Sequence, residues 1–101
     1  MGAFVYILQC AGGSYYVGNA TGDDLAKRIA EHQRGRFQGY TFTRRPVRLV
    51  WSEHFDRYTD ANAAERQIKG WSRAKKEALI RGDWNSVRLL AKRRAGRPRD
   101  L

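Results

Sequence analysis

Arg28 and His32 stand four residues apart in a stretch with helical spacing, so their side chains project from one face about a turn from each other. A cation and a titratable imidazole on one surface can bind a phosphate and handle a proton. Farther along, Glu65 lies beside Ala64 and three residues before Ile68, at the edge of an apolar stripe, with Lys69 one turn on. A carboxylate at that edge can hold Mg²⁺, which takes one or two carboxylates and completes its shell with waters and phosphate oxygens. Tyr6, Tyr15 and Tyr16 place phenols near the N-terminus, and Arg34, Arg36, Arg44 and Arg45 are interleaved with Phe37, Tyr40 and Phe42. Arginines among aromatic rings suit a surface where cations follow phosphates and rings stack on bases, as in single-stranded or distorted DNA. Each pattern also has an ordinary structural explanation. Charged pairs on helices are usually solvated, strand tyrosines usually pack across the sheet, and Tyr40 and Phe42 can tuck beneath their own loop.

Positioning these groups requires strands and helices in a definite order. Residues 3–10 are β-branched and aromatic, Ala11-Gly12-Gly13 makes a turn, and a second such run follows to Gly18, which predicts a β-hairpin. Thr21 or Asp23 can cap a helix whose apolar stripe is Leu25, Ala26, Ile29 and Ala30, with Lys27, Arg28, Glu31 and His32 off that stripe and a stop near Gly35. Residues 35–46 read as a basic, aromatic loop, and residues 47–51 as a third strand after Pro46. Thr59 or Asp60 can cap a second helix through Ala64, Ile68 and Trp71, and Ser72 a third that ends before Gly82, with a last helix starting near Asp83. The spacing of Cys10 and His54 fits strand positions, and neither receives a role.

Length and charge limit what such a chain can do. The 101 residues suffice for one core, expected over residues 1–90, and the charge-dense residues 91–101 read as a basic, flexible tail. Twenty Lys and Arg against ten Asp and Glu give a formal charge of +10, a field that attracts polyanions without saying what happens after contact. No apolar run reaches the roughly 18 residues of a spanning helix, and no charged segment precedes the first hydrophobic strand, so a soluble, unprocessed protein with no membrane partner is expected. The single cysteine, Cys10, allows neither an intrachain disulfide nor a cysteine-based metal site, which fits a reducing cytoplasm and, with the charge, association with the nucleoid.

The ordered set of motifs adds a resemblance. Phe4-Val5-Tyr6, nine further residues, and then Tyr16-Val17-Gly18 resemble the paired Gly-Ile-Tyr and Tyr-Ile-Gly elements of the GIY-YIG nuclease superfamily. Arg28 and His32 follow in order, and residues 44–51 and 64–76 are similar to the small stand-alone bacterial branch. The likeness covers residues 3–90; each element alone is weak and the combination is specific. It implies an α/β fold, a small three-stranded mainly antiparallel sheet flanked by helices, with the site on the sheet surface facing the first helix. It also implies Glu65 as the ligand of a divalent cation, Mg²⁺ or Mn²⁺, Tyr6 and Tyr16 flanking the scissile phosphate, and Arg28 stabilising the pentavalent phosphate, with His32 beside them. A tyrosine at its ordinary pKa near ~10 is a poor base, so a neighbouring Arg28, His32 or metal-bound water is expected to lower that value.

Departures from the family pattern are Phe4 in place of glycine and Asn19-Ala20 where small hydroxyl residues are usual. The second predicts a missing hydrogen bond to backbone or phosphate and reduced activity. The expected function is a divalent-metal-dependent endonuclease acting on single-stranded, branched or duplex DNA. Its nucleic-acid contacts are expected at Arg36, Phe37, Tyr40, Arg44, Arg45 and Lys69, and at Arg97 in a Gly-Arg-Pro-Arg string similar to the minor-groove core of AT-hook peptides. The alternative is a noncatalytic nucleic-acid-binding module, which needs the basic loop and tail but no convergent set of polar groups.

Overall fold

The computed structural model describes residues 2–22, 24–36 and 39–89. Phe37 and Arg97, and the basic segment 91–101, lie outside the described residues. The chain divides into two compact units, one up to Lys69 and one from Gly70 onward.

In the first unit, β1 (Ala3–Gln9) pairs antiparallel with both β2 (Tyr15–Thr21) and β3 (Arg48–Phe55), giving the strand order β2-β1-β3. This is the three-stranded antiparallel sheet of the α/β fold. As the middle strand β1 is hydrogen-bonded along both edges, and Val5, Tyr6, Ile7 and Leu8, which alternate between the two faces of the sheet, are each at most 1% exposed. The hairpin closes where the Cys10 amide donates to the Ser14 carbonyl and Gly13 takes a positive φ of 94°. β3 runs past the expected residue 51 to Phe55, with Ser52, Glu53 and His54 exposed. Polar residues there leave little hydrophobic signal, and pairing with β1 holds the extension. Against that strand the register shifts between Ile7 and Leu8, since Ile7 faces Trp51 and Leu8 faces Leu49.

Helices α1 (Leu25–Gln33) and α2 (Tyr58–Lys69) belong to the same unit. Asp24, rather than Thr21, caps α1 by accepting from the Lys27 amide at 2.9 Å, and Asp23 lies outside the described residues. The helix ends where Gly35 adopts a φ of 76°. Leu25 and Ile29 pack on a buried cluster of Tyr6, Leu8, Cys10, Ala20 and Val47. Cross-strand partners share a sheet face, so Tyr6 with Gly18 and Leu8 with Tyr16 lie on that side, and Val5 with Asn19 on the other. Between α1 and β3, the segment 39–47 includes a 3-10 turn, Phe42–Arg44. Its C-terminal half is tied down at two points. The Ala11 amide donates to the Arg44 carbonyl at 2.9 Å, and the Gln33 side-chain amide pairs with both the N–H and the carbonyl of Val47.

The second unit contains α3 (Arg73–Arg81), capped by Ser72 at its start and by Gly82 in the left-handed conformation at its end. Asp83 caps a further helical stretch over 84–89 by accepting from the Ser86 amide at 3.1 Å. Lys75 places its ammonium 4.0 Å from the centre of the Trp71 ring. Among the described residues no helix is long and apolar enough to cross a membrane.

Candidate active site

Tyr6 projects from the middle strand toward α1, and its hydroxyl lies 2.9 Å from His32 Nε2. The other ring nitrogen of His32, Nδ1, lies 2.8 Å from Thr41 Oγ1. All three side chains are buried, His32 at 3% exposure and Thr41 at 2%. His32 therefore does not stand off the apolar side of α1, contrary to the sequence expectation. It follows Ile29 by three residues and Leu25 by seven, which puts it on the core stripe, and its two ring nitrogens are satisfied by Tyr6 and Thr41. Ala26, assigned to that stripe, is exposed.

The Arg28 guanidinium hydrogen-bonds the same Tyr6 hydroxyl and also pairs with Glu31 at 3.7 Å. Arg28 remains a third exposed and, with Lys27 and Glu31, lines an open polar cleft of about 240 Å³ between the end of β2 and the start of α1. Burial pushes the Tyr6 phenol above its ordinary pKa, with the neighbouring Tyr16 adding to the effect; the Arg28 charge and hydrogen bond pull it down but do not win, and Glu65 contributes a small upward push. The expected lowering by Arg28 is therefore present, but burial outweighs it. Tyr6 is held as a neutral phenol. Burial, and then the Arg28 charge, hold the His32 pKa below its ordinary value, with Glu31 working the other way, so at neutral pH the imidazole is an uncharged proton acceptor.

Tyr16 completes this corner, its ring centre 6.4 Å from that of Tyr6 and 5.3 Å from that of His32. Gly18 makes the close approach possible. A Cβ at that position would meet Tyr6 Oη at 2.8 Å and Tyr16 Cε2 at 2.9 Å, and since the φ of Gly18 is not positive, glycine is present for room rather than for conformation. Gly18→Ala is expected to force the two rings apart and cost about 1–3 kcal/mol through overpacking. The urea midpoint would fall with an unchanged m-value, and an unshifted midpoint would show that the corner can relax.

Glu65 reaches the sheet from α2. Its Oε1 accepts from the Asn19 side-chain amide at 2.5 Å and its Oε2 pairs with Lys69 Nζ at 2.9 Å. The Glu65 side chain is 13% exposed and that of Lys69 56%. Asn19 thus supplies a hydrogen bond to a residue 46 positions away, a contact distinct from the backbone or phosphate bond whose loss the sequence predicts. Among the described residues no group of three or more His, Cys, Asp or Glu converges on a metal position. A hard divalent ion still fits the donor set. One carboxylate suffices for Mg²⁺, Asn19 fixes one oxygen, and the other is covered only by a solvent-exposed ammonium that water can replace.

The basic loop divides into parts that meet this centre and parts that do not. Tyr40, 41% exposed, stacks on Tyr16 with ring centres 6.1 Å apart and planes 23° apart, and the Arg44 guanidinium lies 3.8 Å over its ring. Tyr40 is therefore not tucked beneath the loop. Arg45 turns back over Phe42 and donates to its carbonyl at 2.8 Å, and Arg36 is exposed just beyond α1. Thr41 had no signal in the sequence, where it reads as one more polar loop residue.

Comparison with known proteins identifies the family and the fold. Residues 2–78 match the model of the GIY-YIG catalytic domain. A UPF0213 protein of Staphylococcus saprophyticus is 46% identical over 77 residues, covering 76% of this chain and 92% of its own, and one of Halobacterium salinarum is 45% identical over 76 residues, covering 75% and 96%. The solution NMR structure of the UPF0213 protein BH0048 from Bacillus halodurans is 41% identical with a TM-score of 0.53, over 79% of this chain and 83% of that one. That of protein EF2693 from E. faecalis is 32% identical with a TM-score of 0.56, over 81% and 85%. The chain belongs to the GIY-YIG family of nuclease domains. Membership makes nucleic acid the class of substrate, within which the relatives' names specify no reaction.

Proposed function

We propose that this chain is a divalent-metal-dependent endonuclease that hydrolyses phosphodiester bonds in DNA, with single-stranded or branched DNA as its preferred form. The observation that carries the reading is the Tyr6 hydroxyl, held at once by the Arg28 guanidinium and by a neutral His32. A neutral phenol is not a standing base. Bonded to His32 Nε2, however, it can accept a proton from an attacking water as it passes its own to the imidazole. The water oxygen bonds to phosphorus, the bond to the leaving sugar oxygen breaks, and the negative charge that builds on the phosphate lies against Arg28. Tyr16 and Gly18 keep the phenol in place. Glu65, oriented by Asn19, would hold the metal ion, which supplies charge neutralisation for the phosphate and the leaving oxygen.

Tyr40 and Arg44 extend this reading to the substrate. The Arg44 guanidinium, backed by the exposed Tyr40 ring and through it by Tyr16, is a stacking surface for an unpaired base beside the scissile phosphate. Tyr40→Ala is expected to weaken single-stranded DNA binding by roughly tenfold, in line with the ~1–3 kcal/mol of one stacked base, and duplex binding much less. Fluorescence anisotropy with both DNAs checks this, and an equal loss on the two would remove the stacking role. The test of the function is incubation of the purified protein with labelled single-stranded, duplex and branched DNA in Mg²⁺, Mn²⁺ or EDTA. Internal cleavage that requires the metal is expected. Tight binding with no cleavage in either metal would leave a noncatalytic nucleic-acid-binding module instead.

A further inference from the structure

Thr41 has no part in the reaction outlined above, yet it is one of the most buried polar residues in the first unit, and its hydroxyl is spent on His32. The direction of that bond follows from counting protons. The Arg28 guanidinium can only donate, so the Tyr6 oxygen accepts from Arg28. A phenol has one proton, and Tyr6 is buried, so that proton would go unpaired unless it is donated to the remaining contact, His32 Nε2, which is therefore the unprotonated, accepting nitrogen. A neutral imidazole then carries its single proton on Nδ1, and that N–H faces Thr41 Oγ1 at 2.8 Å.

We propose that Thr41 is a positioning residue that holds His32 in the Nδ1–H tautomer, keeping Nε2 free to accept the Tyr6 proton. The assignment of the tautomer rests on the two contacts of the buried ring and on its being neutral; its catalytic consequence rests on the endonuclease reading. The placement is secure because the segment bearing Thr41 is fastened on either side. Gln33 brackets Val47, Arg44 accepts from Ala11, and Tyr40 stacks on Tyr16. Consequently the loop that presents Tyr40 and Arg44 to a substrate also sets the protonation pattern of the imidazole inside.

The test is a long-range ¹H–¹⁵N correlation spectrum of the full chain. The only other histidine, His54, is exposed and serves as an internal reference. Wild type is expected to show His32 with a protonated Nδ1 and a bare Nε2. Thr41→Val, which keeps the shape and removes the oxygen, should move His32 toward the other tautomer, and Thr41→Ser should restore the wild-type pattern. In single-turnover cleavage Thr41→Val should lose about tenfold and Thr41→Ser little, as for one buried hydrogen bond. An Nε2–H tautomer in the wild-type spectrum overturns the proposal, whether or not the valine variant folds, as does a tautomer unmoved in Thr41→Val. Absence of cleavage in the wild type with the expected spectrum would overturn the endonuclease reading and leave the tautomer assignment standing.

Discussion

Replacing Glu65 with alanine is expected to lower Mg²⁺-dependent cleavage by about three orders of magnitude or more, since a catalytic metal contributes several kcal/mol of charge stabilisation. DNA affinity measured in EDTA should barely change, because the carboxylate touches Asn19 and Lys69 and holds no phosphate-binding group of the loop. The variant loses one hydrogen bond and one ion pair to an exposed lysine, so its stability cost is about 1 kcal/mol and circular dichroism should show an intact fold. Direct binding of Mn²⁺, followed by electron paramagnetic resonance, gives a second readout that does not depend on turnover. Full cleavage by the alanine variant in Mg²⁺ would remove Glu65 from the site.

Tyr6→Phe is expected to slow the chemical step by roughly 10²–10⁴-fold, the range for loss of a positioned proton-transfer group. The ring and its packing remain, and the change strips His32 Nε2 and Arg28 of a shared partner at a cost of about 1–3 kcal/mol in stability. Arg28→Ala should fall by a similar factor, about 10²–10³, through loss of charge stabilisation in the transition state. The two variants differ in pH behaviour. With Tyr6 intact, cleavage should fade as acidification charges His32, because an imidazolium cannot take the phenolic proton; the low His32 pKa places that loss below the ordinary histidine range. In Tyr6→Phe the residual rate should not follow that titration. A single-turnover rate equal to wild type in Tyr6→Phe would reassign Tyr6 to the core and leave Tyr16 and His32 to manage the water.

Much of this scaffold can be read from local chemistry. Strand-forming residues on either side of Ala11-Gly12-Gly13 specify the hairpin, Ser72 and Gly82 delimit α3, and Gly35 ends α1, each through an interaction only a few residues long. Tyr6, Tyr16, Arg28 and His32 do converge, and Glu65 meets Lys69 as helical spacing requires. What residue type misreads is the burial of His32, which helical spacing from Leu25 and Ile29 would have placed on the core side. A polar ring is assigned to solvent unless its partners are known, and here they lie 26 and 9 residues away. The partner of Asn19, Glu65, likewise comes from another element, and the exposed end of β3 is held by Phe4 and Ala3 rather than by its own composition. Burial of Tyr6 outweighs the arginine beside it, a competition of magnitudes that residue types alone do not decide.

The pairing of Tyr6 with Gly18 across the hairpin has a consequence for how such a chain tolerates insertions and deletions. Residues added to or removed from the turn between Cys10 and Ser14 change the gap between the two tyrosine motifs but leave every cross-strand partner in place. A single residue added or lost between Tyr15 and Gly18 is different. It slides Val17 or Asn19 opposite Tyr6, fills the room that glycine leaves, and reverses the sheet face of the amide that steadies Glu65. A change of length is therefore absorbed only in the turn, whereas within the strand the parity of positions carries the chemistry.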